Sequence, residues 1–219
     1  MEKQEKIKAV LFDMDGLVLD TEKMYTRFWQ EAANSLGYPM TREQALGMRS
    51  LNRDAGRARM QSYFGETTDY EAIRMQRIRM MEAYIEEVGV ETKPGIRDLL
   101  SFLKERGLKT AIATSSPLER TERYLKSVGL EKSFDRLISG YMVEKGKPEP
   151  DIYLFAAKEL LVTPEECMVL EDSPAGILAA HRAGCVPVMV PDQDIPDEET
   201  KKLLFACVEN LCQVIALLQ

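Results

Sequence analysis

Carboxylates and a glycine follow an apolar run near the start of the chain, in the stretch KAVLFDMDGLVLDTE (residues 8–22). Asp13 and Asp15 come directly after the run, and Asp20 follows a few residues later. A buried carboxylate is unfavourable unless it is paired with a cation or bound to a metal ion. The stretch therefore predicts a site at which some positive charge compensates these groups.

Polar side chains also end three later runs of the chain. These groups are, in chain order, Thr114 at the end of KTAIAT with Ser115 and Ser116 directly after it, Lys147 in KGKPEP after LISG, and Glu171 with Asp172 in MVLED. Each alone could be a helix cap, a turn or a solvated lysine. Ligands of open parallel sheets, however, bind at the carboxyl ends of the strands, so the joint occurrence predicts one shared site.

The residue types at these ends suit a metal ion and a phosphate group. Oxygen ligands without histidine or thiolate favour Mg²⁺, which binds through a few carboxylates, waters and a substrate phosphate. Thr114, Lys147 and the backbone amides that begin at Ser115 could bind the remaining phosphate oxygens. The segment GYMVEKGKP is not a nucleotide-binding loop, because its glycine spacing is too long and Pro148 replaces the metal-binding hydroxyl. The pattern indicates phosphoryl transfer.

Hydrophobic periodicity predicts the elements that position these groups. Residues 20–89 carry helical patterns and no strand pattern, whereas strands and helices alternate from residue 90 onward. Such alternation is typical of parallel strands joined by helical crossovers. We therefore predict a doubly wound α/β, Rossmann-like core over 1–19 and 90–219, with an inserted all-helical domain over 20–89 and Asp20 at the hinge.

Composition limits the partners that we expect. The 219 residues carry a net charge of −7, which argues against nucleic acid or an anionic membrane surface as the main partner. No stretch approaches the roughly 20 apolar residues of a membrane span, and the charged N-terminus lacks the apolar middle of a signal peptide. We expect a cytoplasmic monomer that binds a small phosphorylated metabolite.

The cysteines and the single histidine offer little chemistry. Cys167, Cys185, Cys207 and Cys212 lie in apolar runs without a CxxC pair, so we interpret them as small core residues in a reducing compartment. His181 lies midway along a predicted helix, where we expect partial exposure. One histidine excludes a zinc site of the HExxH type.

The ordered set of strand ends resembles the haloacid dehalogenase (HAD) superfamily, and most of all its β-phosphoglucomutase-like phosphatases with a small helical cap. FDMDGLVLDTE resembles the first motif of that family, ATSS the second, GKPEPD the third and LEDSPAG the fourth. The resemblance covers nearly the whole chain, including the helical insertion, which it implies is a cap domain.

The resemblance implies a role for each carboxylate. Asp13 would be the nucleophile that takes the phosphoryl group, and Asp15 would protonate the leaving oxygen and later activate water. Asp13 and Asp172 would ligate Mg²⁺ with their carboxylates and Asp15 with its backbone carbonyl. Glu171 would lie beside them and would either ligate the metal directly or contact one of its ligands.

The resemblance also implies which groups hold the phosphate. Thr114 and Lys147 would bind its oxygens, and Lys147 is preferred because it directly precedes the proline of the third motif. Lys145 is the alternative. Covalent catalysis of this kind divides one difficult displacement into two easier ones.

Three functions stay open at this point. The leading hypothesis is an Mg²⁺-dependent phosphatase of sugar or nucleoside monophosphates that works through an aspartyl-phosphate. The alternatives are a mutase of the β-phosphoglucomutase type and a non-catalytic phosphorylatable switch similar to a response-regulator receiver. The resemblance also implies that an aspartate at position 15 indicates phosphate esters rather than haloacids or phosphonates as substrates.

The cap sequence bears on the choice between phosphatase and mutase. Tyr25 stands where β-phosphoglucomutases have a histidine, and this difference favours hydrolysis. Arg49 lies near the place of an arginine that holds the second phosphate in the mutases. Residues that we expect to contact substrate are Glu22, Tyr25, Arg49 and Arg77.

Overall fold

The structure, a computed structural model, describes residues 6–49, 51, 53–192 and 195–219. The chain divides into two compact units. The first comprises the described residues of Met1–Asp20 and Glu91–Gln219, and the second those of Thr21–Val90.

A six-stranded parallel sheet forms the centre of the first unit, in the order β3-β2-β1-β4-β5-β6. Its strands are β1 (Ala9–Phe12), β2 (Lys109–Thr114), β3 (Arg136–Ser139), β4 (Cys167–Glu171), β5 (Val186–Met189) and β6 (Ala206–Cys207). Strand order reverses at β1, which pairs with β2 on one side and β4 on the other. This reversal is the point at which ligands bind in open parallel sheets.

Helices lie before, between and after strands β2 to β6 of this sheet. They are α5 (Ile96–Glu105), α6 (Leu118–Ser127), α7 (Asp151–Glu159), α8 (Pro174–Arg182), α9 (Glu198–Leu203) and α10 (Leu211–Ala216), with short 3₁₀ helices at Gly140–Met142 and Pro164–Glu166. Every residue of β1 and β4 is buried, as in strands covered on both faces. Side chains of α7 and α8 pack on alternate residues of β1, β2 and β4.

The described residues of the second unit form four helices: α1 (Glu22–Ser35), α2 (Arg42–Leu46), α3 (Arg53–Phe64) and α4 (Tyr70–Val88). Trp29, Ala32 and Ala33 from α1 pack with Met60 of α3 and Ile73 of α4 in its apolar core. A capping box at Thr41 and an Asp69 cap fix the starts of α2 and α4. No strand occurs among the described residues of this unit.

The predicted fold class, a parallel α/β core with an inserted helical domain, is confirmed. The interpretation of all four cysteines as core residues is wrong for two of them. Cys167 and Cys185 are buried, but Cys207 and Cys212 are exposed. Cys207 ends the edge strand β6, and α10 buries Leu211 and Val214 while Cys212 faces outward. No helix of the described residues has the length and apolarity to cross a membrane.

Candidate active site

Asp13 lies at the strand-order reversal because β1 is in register with both of its neighbours. Phe12 is opposite Ile112 of β2 and Leu170 of β4, and the Asp13 amide donates a hydrogen bond to the Leu170 carbonyl at 3.0 Å. The carboxyl ends of β1, β2 and β4 therefore meet around Asp13. The Asp13 carboxylate is buried there.

Lys147 connects these strand ends through its buried ammonium group. It donates to Asp13 Oδ1 at 2.5 Å, to Glu171 Oε1 at 2.6 Å and to the Ala113 carbonyl at 2.9 Å. Burial acts to lower the pKa of Lys147, but the two carboxylates outweigh it and hold this pKa well above its usual value. The alternative, Lys145, is exposed and its amide donates to Asp151. Lys147 is therefore the lysine that the fold brings to the carboxylates.

Glu171 is completely buried and is held by several donors. Besides Lys147, the Tyr153 hydroxyl donates to Oε1 at 2.5 Å, and the Ser173 hydroxyl donates to Oε2 at 3.1 Å. Burial, followed by the negative charge of Glu171, raises the pKa of Tyr153, so the phenol stays a donor. Glu171 thus orients Lys147 with a carboxylate whose two oxygens both accept hydrogen bonds from protein groups.

The start of α8 is shaped to receive the Glu171 side chain. A Cβ atom at Gly176 would lie 1.9 Å from the Glu171 carboxyl, so only glycine leaves the space. Ser173 caps the helix by accepting from the Gly176 amide at 3.2 Å, with Pro174 as its first residue. The capping function is therefore supplied by Ser173 and not by Glu171 or Asp172.

Three carboxylates form a cluster that could hold a cation. Asp13, Glu171 and Asp172 each offer an oxygen atom, and these atoms lie within 4.8 Å of one another. Burial raises the pKa of Asp13 to about 7, and Glu171 and Asp15 add to this effect against the opposing charge of Lys147. A divalent cation would relieve this repulsion, and an all-oxygen donor set suits Mg²⁺. The residues present therefore fit the predicted metal.

Asp15 and the hydroxyl groups after β2 lie at the same edge. Gly16 has a φ of +84°, which turns the chain directly after Asp15. Asp15 Oδ2 accepts a hydrogen bond from the Ser116 hydroxyl at 2.7 Å. Thr114 is buried, and its Oγ1 accepts from the Ser116 amide at 3.0 Å, so its own hydrogen can be donated elsewhere. Ser115 lies between them and is exposed.

The four predicted substrate contacts all belong to the helical unit. The structure brings two of them together, because the buried guanidinium of Arg77 lies over the rings of Tyr25 at 4.8 Å and Trp29 at 4.6 Å. Glu22 is the first residue of α1. Arg49 follows α2 and donates through Nε to the Leu46 carbonyl at 3.3 Å.

Comparison with known proteins identifies the family of this chain. The family model for haloacid dehalogenase-like hydrolases matches residues 7–184. The chain belongs to this family. The phosphorylated carbohydrates phosphatase of Thermotoga maritima is 33% identical over 178 residues, which cover 81% of this chain and 82% of that protein.

Two further HAD-type proteins extend the comparison. The β-phosphoglucomutase of Bacillus subtilis is 30% identical over 190 residues, or 84% of this chain and 83% of that protein. The crystal structure of CbbY from Rhodobacter sphaeroides in complex with phosphate has a TM-score of 0.77 at 27% identity, covering 95% of this chain and 96% of that chain. The predicted family and enzyme class, a HAD-type phosphatase, are thus confirmed.

Sequence reasoning about this HAD-type site missed residues that contact its carboxylates. Tyr153 lies outside the four motifs, yet a tyrosine on a buried apolar face needs a partner for its hydroxyl, and this is the available signal. Ser116 was recognised at a strand end without a role. Arg120, which donates to the Ser116 hydroxyl, lies four residues further along, a spacing at which side chains on a helix meet.

Proposed function

We propose that the protein is an Mg²⁺-dependent phosphatase that hydrolyses small phosphorylated metabolites, sugar or nucleoside monophosphates, through a phosphoryl group on Asp13. One observation carries the proposal: several functional groups lie together around Asp13. Lys147 donates to its carboxylate, and the Asp172 carboxylate belongs to the same cluster. Asp15, held by the Ser116 hydroxyl, lies at the same edge of the sheet. The phosphatase of Thermotoga maritima supports a phosphorylated carbohydrate as the substrate class.

The first half-reaction uses the two aspartates that follow β1. A carboxylate oxygen of Asp13 attacks phosphorus, the bond to the ester oxygen breaks, and Asp15 donates a proton to that oxygen as the alcohol leaves. Lys147 partly neutralises the negative charge of Asp13 and so reduces its repulsion of an anionic substrate. The Thr114 hydroxyl and the Ser115 amide bind the phosphoryl oxygens.

The second half-reaction regenerates Asp13. Asp15, now deprotonated, takes a proton from water as the water oxygen attacks phosphorus, and inorganic phosphate leaves with Asp13 restored as a carboxylate. Asp13, Asp172 and the Asp15 carbonyl would hold Mg²⁺, which supplies positive charge to the phosphoryl oxygens during both transfers. Glu171 fixes Lys147 and adds its charge to the metal cluster.

The helical unit, which we propose is a cap, would supply selectivity. Glu22, Tyr25, Arg49 and Arg77 are its proposed substrate contacts. The stacking of Arg77 on Tyr25 would hold a cation in place for an anionic or hydroxylated substrate.

Release of inorganic phosphate from a panel of phosphorylated metabolites tests the proposal. We expect release with Mg²⁺ and its loss with a chelator, and we expect Asp15→Ala to abolish it. Unchanged phosphate release by Asp15→Ala would contradict the enzymatic mechanism. A panel without any hydrolysed member would contradict the substrate class.

A mutase is the second candidate, favoured by the β-phosphoglucomutase of Bacillus subtilis among the relatives. It predicts an isomerised sugar phosphate that forms only when a sugar bisphosphate is added, with little inorganic phosphate. Tyr25 in place of the mutase histidine supports the phosphatase.

A further inference from the structure

A chain of hydrogen bonds leads from α6 to Asp15. The half-buried Arg120 of α6 donates through Nη2 to the Ser116 hydroxyl, and Ser116 Oγ lies 2.7 Å from Asp15 Oδ2. The proposed mechanism uses Asp15 but assigns no role to Ser116 or Arg120. Both bonds lie within the first unit: the first joins α6 to the segment that follows β2, and the second joins that segment to the one that follows β1.

The chemistry of the three groups determines the direction of these bonds. A guanidinium can only donate, so the Ser116 oxygen accepts from Arg120. The single hydroxyl hydrogen of Ser116 is then available to Asp15 Oδ2, which therefore acts as an acceptor. With Oδ2 accepting from Ser116, Oδ1 is the oxygen of Asp15 that is left to carry a proton.

Ser116 is held in this position by its own backbone. Its amide donates to Thr114 Oγ1 at 3.0 Å, and its carbonyl accepts from the Ser139 hydroxyl at 2.7 Å. Helix capping does not account for its side chain, because α6 has no side-chain cap hydrogen bond among the described residues. The hydroxyl of Ser116 is thus directed to Asp15 and not to the helix that follows it.

We propose that Ser116 and Arg120 are positioning residues for Asp15, an inference that rests on the proposed function. They hold Oδ2 as a hydrogen-bond acceptor and so keep Oδ1 as the oxygen that gives its proton to the leaving alcohol. The charge of Arg120 polarises the Ser116 hydroxyl and strengthens its bond to Asp15. Without the Ser116 hydroxyl, Oδ2 would lose the hydrogen bond that makes it an acceptor, and this bond would no longer distinguish the two oxygens of Asp15.

Substrates whose leaving groups differ in their need for a proton can test whether Ser116 and Arg120 position Asp15. A sugar phosphate releases an alkoxide that must be protonated, whereas p-nitrophenyl phosphate releases a stable phenolate. The value of kcat/KM reports the step in which this bond breaks. A defect in Asp15 positioning therefore lowers kcat/KM for the sugar phosphate far more than for the aryl phosphate.

The experiment compares Ser116→Ala, Arg120→Ala and Arg120→Lys with the unaltered enzyme in saturating Mg²⁺. The substrates are p-nitrophenyl phosphate and the best sugar phosphate of the panel. For the two alanine variants we expect a loss of about 10-fold to 100-fold on the sugar phosphate, part of the roughly 10²–10⁴-fold that acid–base catalysis contributes. On the aryl phosphate we expect a change below about threefold, which also demonstrates a folded enzyme. Arg120→Lys keeps a donor and should recover part of the loss.

The control is Arg123→Ala, an exposed arginine one turn further along α6. This substitution should leave kcat/KM unchanged for both substrates. Equal losses on the two substrates for Ser116→Ala and Arg120→Ala would overturn the positioning role and leave the phosphatase intact. An unaltered enzyme that hydrolyses neither substrate would overturn the proposed function itself, and this proposal with it.

Discussion

At the scale of single residues, Lys147 is the cation that makes the buried carboxylates tolerable. Its ammonium contacts Asp13 and Glu171, and all three side chains are at least about nine-tenths buried. Removal of one partner from a buried ion pair leaves an uncompensated charge, which costs far more than the net contribution of the pair. In the proposed mechanism, stability and catalysis therefore depend on the same side chain.

Lys147→Ala should lower the free energy of unfolding by about 3–5 kcal/mol in the absence of metal, because Glu171 keeps a buried charge without its cation. Urea denaturation, monitored by circular dichroism, measures this free energy of unfolding. Lys145→Ala is the matched control, since Lys145 is exposed in the same segment and should change little. Equal destabilisation by the two variants would show that Lys147 does not act through the carboxylates.

Tyr153→Phe removes the hydroxyl that donates to Glu171. It should lower the free energy of unfolding by about 1.5–3 kcal/mol, the range for a hydrogen bond to a charged group. The ring stays in place, so its packing in the core cluster with residues of β1, β2 and β4 is unchanged. Tyr141→Phe, at a tyrosine that is 72% exposed, provides the comparison in the same denaturation experiment. A Tyr153 variant as stable as the Tyr141 variant would argue against this bond.

At the scale of elements, short turns and helix starts decide where the side chains point. β4 ends at Glu171, Ser173 caps α8, and Gly176 leaves the space that the Glu171 carboxyl fills. Likewise Gly16 turns the chain after β1 so that Asp13 and Asp15 lie at one edge. The site therefore depends on the junctions between strands and helices as much as on the reactive residues.

Gly176→Ala should displace Glu171 and, through it, Lys147. We expect a loss of stability of about 1–3 kcal/mol from the overpacked methyl group, together with a large loss of phosphate release. Thermal unfolding and the phosphate assay measure the two effects. Gly146→Ala is the control, because a Cβ there would meet no atom within 4 Å. Its free energy of unfolding should stay within about 1 kcal/mol of that of the parent protein. Full activity of the Gly176 variant would contradict the proposed role of this space.

At the scale of the whole molecule, the proposed metal site would couple metal binding to folding. The carboxylates of the cluster come from two strands, β1 and β4, that are distant in sequence, so the unfolded chain lacks the site. A ligand that binds only the folded state stabilises it in proportion to the logarithm of its concentration.

Mg²⁺ should therefore raise the Tm of the protein in a concentration-dependent way, and chelation should reverse the shift. Asp172→Asn removes the half-buried carboxylate of the cluster and should abolish most of this shift while the metal-free Tm changes little. Differential scanning calorimetry of both proteins with and without Mg²⁺ tests this. An identical Mg²⁺ response in the variant would exclude Asp172 from the metal site.

Local sequence patterns were sufficient for much of this protein. Alternating apolar runs predicted β1, β2 and β4 and the helical insertion, and the residues after each strand predicted Asp13, Thr114 and Glu171 at one edge. The reason is physical, because strand and helix periodicity depend on neighbours within a few residues. The parallel arrangement then brings all carboxyl ends to the same side of the sheet.

The remaining features were decided by the tertiary structure. The order that places β4 beside β1 sets Glu171 next to Asp13, and no local pattern encodes which strands become neighbours. The same holds for the bonds of Tyr153 and Ser116 to the two carboxylates, since each joins residues far apart in the chain or on separate elements. Side-chain contacts of this kind depend on sheet order and register, which arise only when the whole core packs.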